Sequence, residues 1–218
     1  KVLYDFFQTG TYDKNREFVL TTSPSMDILI SSNLERLIYL ICGEDSEKTK
    51  KLMEELKTTG KYTITLEMKE KLADFAAGYS TEEETAESIH DTYQKTGYVM
   101  DTHTAVAAHV CGQYRAKSGD QTKCVIASTA SPYKFVKSVM SAIDAENANA
   151  DEFDLLPKLQ EVSGVPMPQA IKDILDAKVL HDFYALSKPV DVKQKGKEVI
   201  KGVIGQEAAK KLKSMFSK

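Results

Sequence analysis

The sequence predicts an α/β protein in which helices predominate. Residues 122–127 are a short apolar run typical of a strand, and small hydroxyl residues and Pro132 follow it directly. Open α/β sheets present side chains to ligands in this way, with a buried strand that ends in hydroxyl residues before a proline-started helix. Most of the remaining chain has the periodicity of amphipathic helices with recognisable caps.

Helix caps divide the first part of the chain. Three helices are predicted, each before a glycine suited to a left-handed C-cap: 2–8 before Gly10, 45–59 before Gly60 and 81–95 before Gly97. Thr81 and Glu84 have the spacing of a capping box. A long buried helix is also predicted over 23–43, with a break near 31–33, and a brief strand over 62–66.

The later part of the chain is predicted to be helical around the strand. A helix of small residues is expected over 105–114, and another over 132–144. The acidic, polar residues 144–154 are typical of a surface connection. They divide the chain into a main domain, 1–144, and a C-terminal helical appendage, 145–218.

Composition and charge exclude several classes of partner. The chain has 218 residues, 42% of them hydrophobic and 28% charged, and a net charge of −3, as in an ordinary soluble globular protein. No apolar stretch reaches the ~18 residues that a membrane span needs, so no membrane partner is expected. Basic residues concentrate only at 193–218, with the spacing of an amphipathic helix, so nucleic acid is not expected either.

Cysteine and histidine give no sign of a metal site. The cysteines are odd in number and lie in apolar periodic segments without metal-ligand spacing: Cys42, Cys111 and Cys124. We expect them to be buried thiols, which fits a reducing, cytoplasmic location. All histidines but one lack a supporting motif: His90, His109 and His181.

The first residue is Lys1 rather than Met. It stands at the start of an apolar helical stretch that has neither a cap nor signal-peptide character. We therefore expect the sequence to begin partway through a larger protein.

Four motifs occur in an order that points to a known family. They are Asp-Phe-Phe-Gln-Thr-Gly at 5–10, Thr-Thr-Ser-Pro-Ser-Met-Asp-Ile at 21–28 with Ser-Asn-Leu-Glu-Arg at 32–36, Asp-Thr-His-Thr-Ala-Val-Ala at 101–107, and Ser-Thr-Ala-Ser-Pro-Tyr-Lys-Phe at 128–135. With these motifs the chain resembles the C-terminal half of threonine synthases of the long-chain bacterial and fungal type. The resemblance covers residues 1–145 well and the tail loosely.

The resemblance implies a pyridoxal 5'-phosphate (PLP) enzyme with the fold of tryptophan synthase β, known as fold type II. Such enzymes convert O-phospho-L-homoserine and water into L-threonine and phosphate. Residues 1–144 would form the C-terminal part of the PLP-binding catalytic domain, with a helical insertion at about 31–97. Residues 145–218 would be its helical appendage.

The resemblance also implies that essential parts of the enzyme precede this chain. The lysine that forms the internal aldimine with PLP, and the Gly- and Asn-rich loop that holds the cofactor phosphate, are expected upstream of Lys1. No lysine of this chain has the expected sequence setting, so we assign no catalytic residue here. The fragment alone is expected to be inactive.

Residues 128–130, the Ser-Thr-Ala segment, are the cofactor-binding residues that the resemblance implies. Thr129 matches a threonine that the family places against the pyridine nitrogen, with Ser128 and Ala130 beside it. A neutral hydroxyl favours the pyridinium less strongly than a carboxylate does, which makes the electron sink milder. From local sequence alone, the alternative is a simple helix cap, with Ser131 as the N-cap before Pro132.

The substrate-binding candidates lie in two motifs. Ser23, Ser25 and Asp27 resemble the family's substrate-facing loop and helix start, where free N–H groups suit a phosphate or carboxylate. The alternative is that they only cap the helix, and the charge of Asp27 opposes phosphate binding. His103 is the fourth candidate, either in the site or as a structural residue, and Thr102 beside it replaces a family proline, which predicts a looser turn.

Two arginines are further phosphate-binding candidates. They are Arg16 and Arg36, whose positive charges could bind a phosphate group. Arg36 follows Glu35 in a helical pattern, so an ion pair on the helix surface is the alternative that we favour for it.

Two other functions stay open at this point. One is a non-catalytic binding or regulatory paralogue of the same fold, and the other is a related PLP β-eliminase, because fold does not fix function. An exposed sheet edge would be unfavourable for a stand-alone module, so we favour part of a true enzyme whose missing N-terminal half covers that edge. The sequence gives no oligomeric state.

Overall fold

We describe the protein from a computed structural model, in which residues 1–175 and 177–178 are described. The chain divides into two compact units, Lys1–Ile171 and Lys172–Lys218. The first unit is mainly helical. Its helices and strands are α1 (Val2–Thr9), β1 (Thr11–Asp13), α2 (Leu34–Ile41), α3 (Ser46–Thr59), β2 (Lys61–Thr63), α4 (Leu66–Glu70), α5 (Glu82–Thr96), α6 (Thr102–Ser118), α7 (Val136–Ile143) and α8 (Glu152–Ser163).

Three short 3-10 turns complete the described elements, together with a last helix, α9. The turns are Pro24–Met26, Pro132–Phe135 and Ala145–Asn149, and α9 is Gln169–Leu175. None of the helices in the described part of the chain has the length and apolar character needed to cross a membrane.

The helix ends that depend on local chemistry lie where the sequence predicts them. Gly10, Gly60 and Gly97 adopt the left-handed conformation after α1, α3 and α5, with φ of 77°, 82° and 74°. Thr81 and Glu84 form the capping box at the start of α5. These three helices are therefore confirmed to within a residue or two.

The first of two hydrophobic cores surrounds a two-stranded antiparallel sheet, β1 with β2. Tyr12 lies opposite Tyr62 across the strands, and their rings stack with centroids 5.5 Å apart. Phe6 and Ile38 pack into the same core from α1 and α2. The predicted strand over 62–66 is wrong in its second half, because α4 begins at Leu66 with Thr65 as its N-cap.

The second core is formed mainly by helices. Residues of α5, α6, α7 and α8 bury their apolar faces together, with Ile89, Ala105, Val139 and Leu155 fully enclosed. Here α8 packs on α7, so the acidic residues 144–154 are not only a surface connection: they include a 3-10 turn and the first residues of α8. The domain division after residue 144 stays a prediction.

The predicted long helix over 23–43 is wrong in its first half. Only the 3-10 turn Pro24–Met26 forms there, and α2 starts at Leu34, just after the predicted break. The hydroxyl of Tyr12 explains the difference, because it donates to the Leu29 carbonyl at 3.0 Å and accepts from the Ser31 amide at 2.8 Å. These backbone groups are thereby taken out of helical hydrogen bonding.

The predicted buried strand over 122–127 is also wrong. The segment has no strand partner within the described residues, and it lies at the surface, with Val125 93% exposed. A strand forms only against a neighbouring strand, and the described sheet consists of β1 and β2. The expected helix over 132–144 is the turn Pro132–Phe135 followed by α7.

The cysteines are only partly as expected. Cys42 is buried, Cys111 is half-buried and Cys124 is exposed, so the prediction of three buried thiols is wrong for the last. Cys124 is exposed because it lies in the unpaired segment that was expected to be a buried strand. The basic helix predicted over 193–218, and His181, lie outside the described residues.

The hydroxyl of Tyr12 should contribute measurably to stability. We expect Tyr12→Phe to lower the free energy of unfolding by about 1–3 kcal/mol, because it leaves the Leu29 carbonyl and the Ser31 amide without a partner. Urea unfolding measures the change. Tyr62→Phe is the matched control: it removes a buried-ring hydroxyl with no hydrogen bond among the described residues, so it should cost much less. Equal losses would contradict this role for Tyr12.

Candidate site at the start of α6

The serine loop, residues 21–27, is closed on itself by Asp27. One carboxylate oxygen of Asp27 accepts from the Thr21 amide at 2.8 Å, and the other accepts from the Thr21 hydroxyl at 2.7 Å. The Thr21 hydroxyl also accepts from the Ser23 amide at 3.1 Å. Asp27 therefore uses both carboxylate oxygens to hold the loop, rather than to neutralise the dipole of a long helix.

Two helices hold the serine loop from outside. The amide of Thr22 donates to the Glu82 carboxylate in the first turn of α5 at 2.9 Å. Its carbonyl accepts from the Thr102 hydroxyl in the first turn of α6 at 2.9 Å. Thr102 is buried, and the looser turn that this residue predicts stays a prediction. Threonine supplies here a donor that proline does not have.

Asp101 is the N-cap of α6, and it is almost completely buried, with 1% of its surface exposed. Its Oδ1 accepts from the backbone amides of His103, at 2.9 Å, and of Thr104, at 3.4 Å. The same oxygen lies 3.1 Å from Nδ1 of His103, and Oδ2 accepts from the Thr104 hydroxyl. These partners replace the water that the carboxylate loses on burial.

His103 connects this cap to the serine loop. Its Nε2 accepts from the Ser25 amide at 3.1 Å, and its ring packs on Phe135 with centroids 4.7 Å apart. A backbone amide can only donate and a carboxylate can only accept, so the partners assign the neutral tautomer with the proton on Nδ1. His103 is thus engaged at both nitrogens.

The Ser-Thr-Ala segment joins the same network. The Ser128 and Thr104 hydroxyls are hydrogen-bonded at 3.0 Å. Ser128 and Thr129 are exposed and Ala130 is half-buried. Ser131 does cap the following turn, since its hydroxyl accepts from the Tyr133 amide at 3.3 Å. The capping alternative is therefore correct for Ser131, and it leaves the Thr129 hydroxyl without a partner among the described residues.

Ser23 and Ser25 do not act as helix caps. The Ser23 hydroxyl makes no capping hydrogen bond to the turn Pro24–Met26. It is buried, and among the described residues it is the one buried side-chain polar atom without a hydrogen-bond partner. Ser25, by contrast, is exposed while its amide is held by His103. The capping alternative is thus wrong for both serines.

The network contains residues that the sequence did not single out. Asp101, Thr104 and Glu82 were not candidates, although each is hydrogen-bonded to a residue of a motif that contains candidates. The Asp-x-x-Thr spacing at the start of a helix is a capping signal that points to the first two. Nothing local in the sequence indicates that Glu82 reaches a loop sixty residues earlier in the chain.

The arginines and the remaining described histidines serve other roles. Arg16 pairs with Asp5 at 2.8 Å, and with Lys1 it holds the pKa of that carboxyl below its usual value against the opposing effect of burial. Arg36 makes no ion pair within the described residues, so the predicted pair is wrong.

His90 Nδ1 lies 3.2 Å from the Ala142 carbonyl, and His109 lies near Glu84 and Gln113.

Two surface clefts lie apart from this network. A groove of about 760 Å³ between α2 and α3 is lined by both cations and carboxylates, including Arg36 and Glu54. A second, of about 650 Å³, has aromatic walls that include Tyr4 and Phe75. Neither is lined by the serine loop or the Ser-Thr-Ala segment.

Among residues 1–175 and 177–178, no three His, Cys, Asp or Glu side chains are grouped so as to hold a metal ion.

Comparison with known sequences places these motifs in one family. The family model described as "Threonine synthase, C-terminal" matches residues 104–183. Threonine synthase of Saccharomyces cerevisiae is 34% identical over 172 residues, which are 72% of this chain and 34% of that protein. Threonine synthase-like 1 of Homo sapiens is 36% identical over 167 residues, which are 76% of this chain and 22% of that protein.

Solved structures agree. The crystal structure of yeast threonine synthase matches with a TM-score of 0.69 and 28% identity, over 93% of this chain and 41% of that one. PLP-bound threonine synthase from Brucella melitensis matches with a TM-score of 0.59 and 38% identity, over 65% of this chain and 30% of that one. The fold is thus that of part of a fold type II PLP enzyme.

The particular family follows from the same matches. The chain belongs to the threonine synthase family and corresponds to its C-terminal part. It spans less than half the length of each of these relatives.

The hydroxyl of Thr102 should be needed to hold the serine loop. We expect Thr102→Val to lower the free energy of unfolding by about 1 kcal/mol and to speed amide exchange across residues 21–27, because the Thr22 carbonyl loses its donor. Urea unfolding and hydrogen–deuterium exchange measure the two effects. Thr102→Pro should behave alike, since proline suits the first helical position but has no hydroxyl.

The matched control for this prediction is Thr58→Val. Thr58 is exposed, and its hydroxyl donates to a carbonyl of its own helix, that of Glu54, at 2.8 Å. This change should leave exchange in the serine loop untouched. Unchanged exchange in Thr102→Val would show that the loop does not depend on this hydroxyl.

Proposed function

We propose that this chain is the C-terminal part of a threonine synthase, which uses PLP to convert O-phospho-L-homoserine and water into L-threonine and phosphate. The observation that carries the proposal is the continuous path of hydrogen bonds that joins the serine loop to the Ser-Thr-Ala segment. It runs from Ser25 through His103, Asp101 and Thr104 to Ser128. The path connects two motifs that lie far apart in sequence, and a site that holds cofactor and substrate together requires such a connection.

The Ser-Thr-Ala segment fits a contact with PLP. Thr129 is exposed, and its hydroxyl has no other partner among the described residues. Ser128 next to it is held by Thr104, which fixes the backbone at this point. When bound, PLP supplies the electron sink for the reaction. In this proposal the hydroxyl of Thr129 holds the pyridine nitrogen without adding a charge, and Ala130 leaves room beside it.

The serine loop is proposed to face the substrate. Ser25 is exposed, whereas both oxygens of Asp27 are used within the loop. We therefore assign substrate contact to Ser25, with Ser23 beside it, and a supporting role to Asp27 and His103. The serine hydroxyl carries no charge and can donate to a phosphate oxygen, so Ser25 suits a phosphorylated substrate better than the carboxylate of Asp27 does.

The partner of this chain is proposed to be the remaining part of the same protein, which would supply the PLP lysine and the phosphate-binding loop. Support comes from residues 123–127, which are exposed, belong to no helix or strand, and present a backbone edge whose groups make no hydrogen bond within the described residues. Such an edge pairs readily with another strand. Pairing would also cover Val125 and Ile126, which are now exposed. A cytoplasmic location stays a prediction.

The proposed activity is tested on the protein expressed together with its upstream coding region and supplied with PLP. We expect phosphate release from O-phospho-L-homoserine. Thr129→Val should lower that rate by at least about tenfold, the effect of one lost hydrogen bond to the cofactor. Its melting temperature should stay nearly unchanged, because the side chain of Thr129 is exposed and makes no hydrogen bond among the described residues.

Thr96→Val is the matched control, because Thr96 is exposed and its hydroxyl donates to the Thr92 carbonyl within α5. It should leave the rate unchanged. A rate that Thr129→Val does not alter would remove this residue from the site. PLP binding without phosphate release would favour the non-catalytic paralogue, and release of ammonia from serine or threonine would favour the β-eliminase.

A further inference from the structure

The serine loop has one attachment whose strength depends on where a proton lies. Glu82 and Thr102 hold Thr22 through groups with fixed donor and acceptor roles. The Ser25 amide is held instead by Nε2 of His103 at 3.1 Å. An imidazole nitrogen accepts only when it carries no proton. The position of Ser25 therefore depends on the tautomer of His103.

We propose that Asp101 is a positioning residue that keeps the proton of His103 on Nδ1 and thereby keeps Nε2 free to hold Ser25. Oδ1 of Asp101 lies 3.1 Å from Nδ1 of His103, and both side chains are buried. In the other tautomer, or in the imidazolium, Nε2 carries a proton and faces the Ser25 amide, donor against donor. The carboxylate thus sets the conformation of the loop through the ring.

The same carboxylate fixes the other side of the site. Oδ2 of Asp101 accepts from the Thr104 hydroxyl, which is hydrogen-bonded to Ser128 at 3.0 Å. One buried group therefore sets the positions of Ser25 and of Ser128 relative to the start of α6. The assignment of substrate contact to Ser25 rests on the proposed function, whereas the positioning of Ser25 does not.

The first test is the protonation state of His103 in the 218-residue chain. Two-bond proton–nitrogen spectra of the ¹⁵N-labelled protein near neutral pH should show His103 as the neutral tautomer with its proton on Nδ1. A proton on Nε2, in either the neutral or the charged ring, would overturn the proposal. This readout involves neither cofactor nor substrate, so it is independent of the enzymatic activity.

The second test separates positioning from helix capping. Serine caps helices about as well as aspartate but is too short to reach the ring. Asp101→Ser should therefore keep α6 but no longer keep the proton of His103 on Nδ1. Amide exchange at Ser25 should then speed up by about three- to tenfold, the range for one lost hydrogen bond. Exchange within twofold of the unchanged protein, with His103 still protonated at Nδ1, would overturn the proposal.

Asp45→Ser is the matched control for this variant. Asp45 caps α3 by accepting from the Glu47 and Lys48 amides, both at 3.0 Å, and it has no histidine partner. Like Asp101→Ser, the Asp45→Ser variant loses a carboxylate at the N-cap of a helix. We expect it to leave Ser25 exchange and the His103 tautomer unchanged, and an equal effect of the two variants would count against a specific role of Asp101.

A pair of substitutions at His103 tests the same link without changing the cap. His103→Phe keeps an aromatic ring on Phe135 but has no acceptor, so Ser25 exchange should rise as in Asp101→Ser. His103→Gln offers an amide oxygen that can accept from Ser25, so it should restore part of the protection. Equal exchange in the two variants would contradict the proposal. If phosphate release is lost in a protein whose Ser25 amide stays protected, the result concerns the proposed function and not the positioning of Ser25.

Discussion

The buried carboxylate of Asp101 is the interaction on which the site depends. A carboxylate taken out of water is costly unless hydrogen bonds replace its hydration. Asp101 has such bonds from the start of α6, from His103 and from Thr104. Each of these partners leads to a different segment of the chain. The buried carboxylate at one helix start therefore joins the serine loop to the Ser-Thr-Ala segment, and Glu82 and Thr102 hold the serine loop in addition.

Sequence reasoning worked where the controlling chemistry is local and failed where it is not. The ends of α1, α3 and α5 follow from glycines and a capping box that act within a few residues. The helix predicted over 23–43 fails because Tyr12, more than ten residues earlier, takes up the backbone groups that a helix would use. The strand over 122–127 fails, although the apolar run is of strand type, because no strand lies beside it among the described residues.

The candidate site shows the same division. The resemblance selected Ser25, His103 and Ser128, and the structure connects all three, but their order along a hydrogen-bonded path is a tertiary property that no motif contains. Asp27 was expected to face the substrate, and in the structure both of its carboxylate oxygens accept hydrogen bonds that close the loop. Thr102 was expected to weaken a turn that family members build with proline. Its hydroxyl strengthens the attachment of the loop, which only the position of the Thr22 carbonyl reveals.

The most direct measurement is a double-mutant cycle across the contact that joins the two motifs. Thr104→Val, Ser128→Ala and the double variant would be compared by urea unfolding. If the Thr104–Ser128 hydrogen bond links the segments as described, the two changes should be non-additive, with a coupling free energy of about 0.5–1.5 kcal/mol. Changes that add to within about 0.3 kcal/mol would contradict a single connected site at the start of α6.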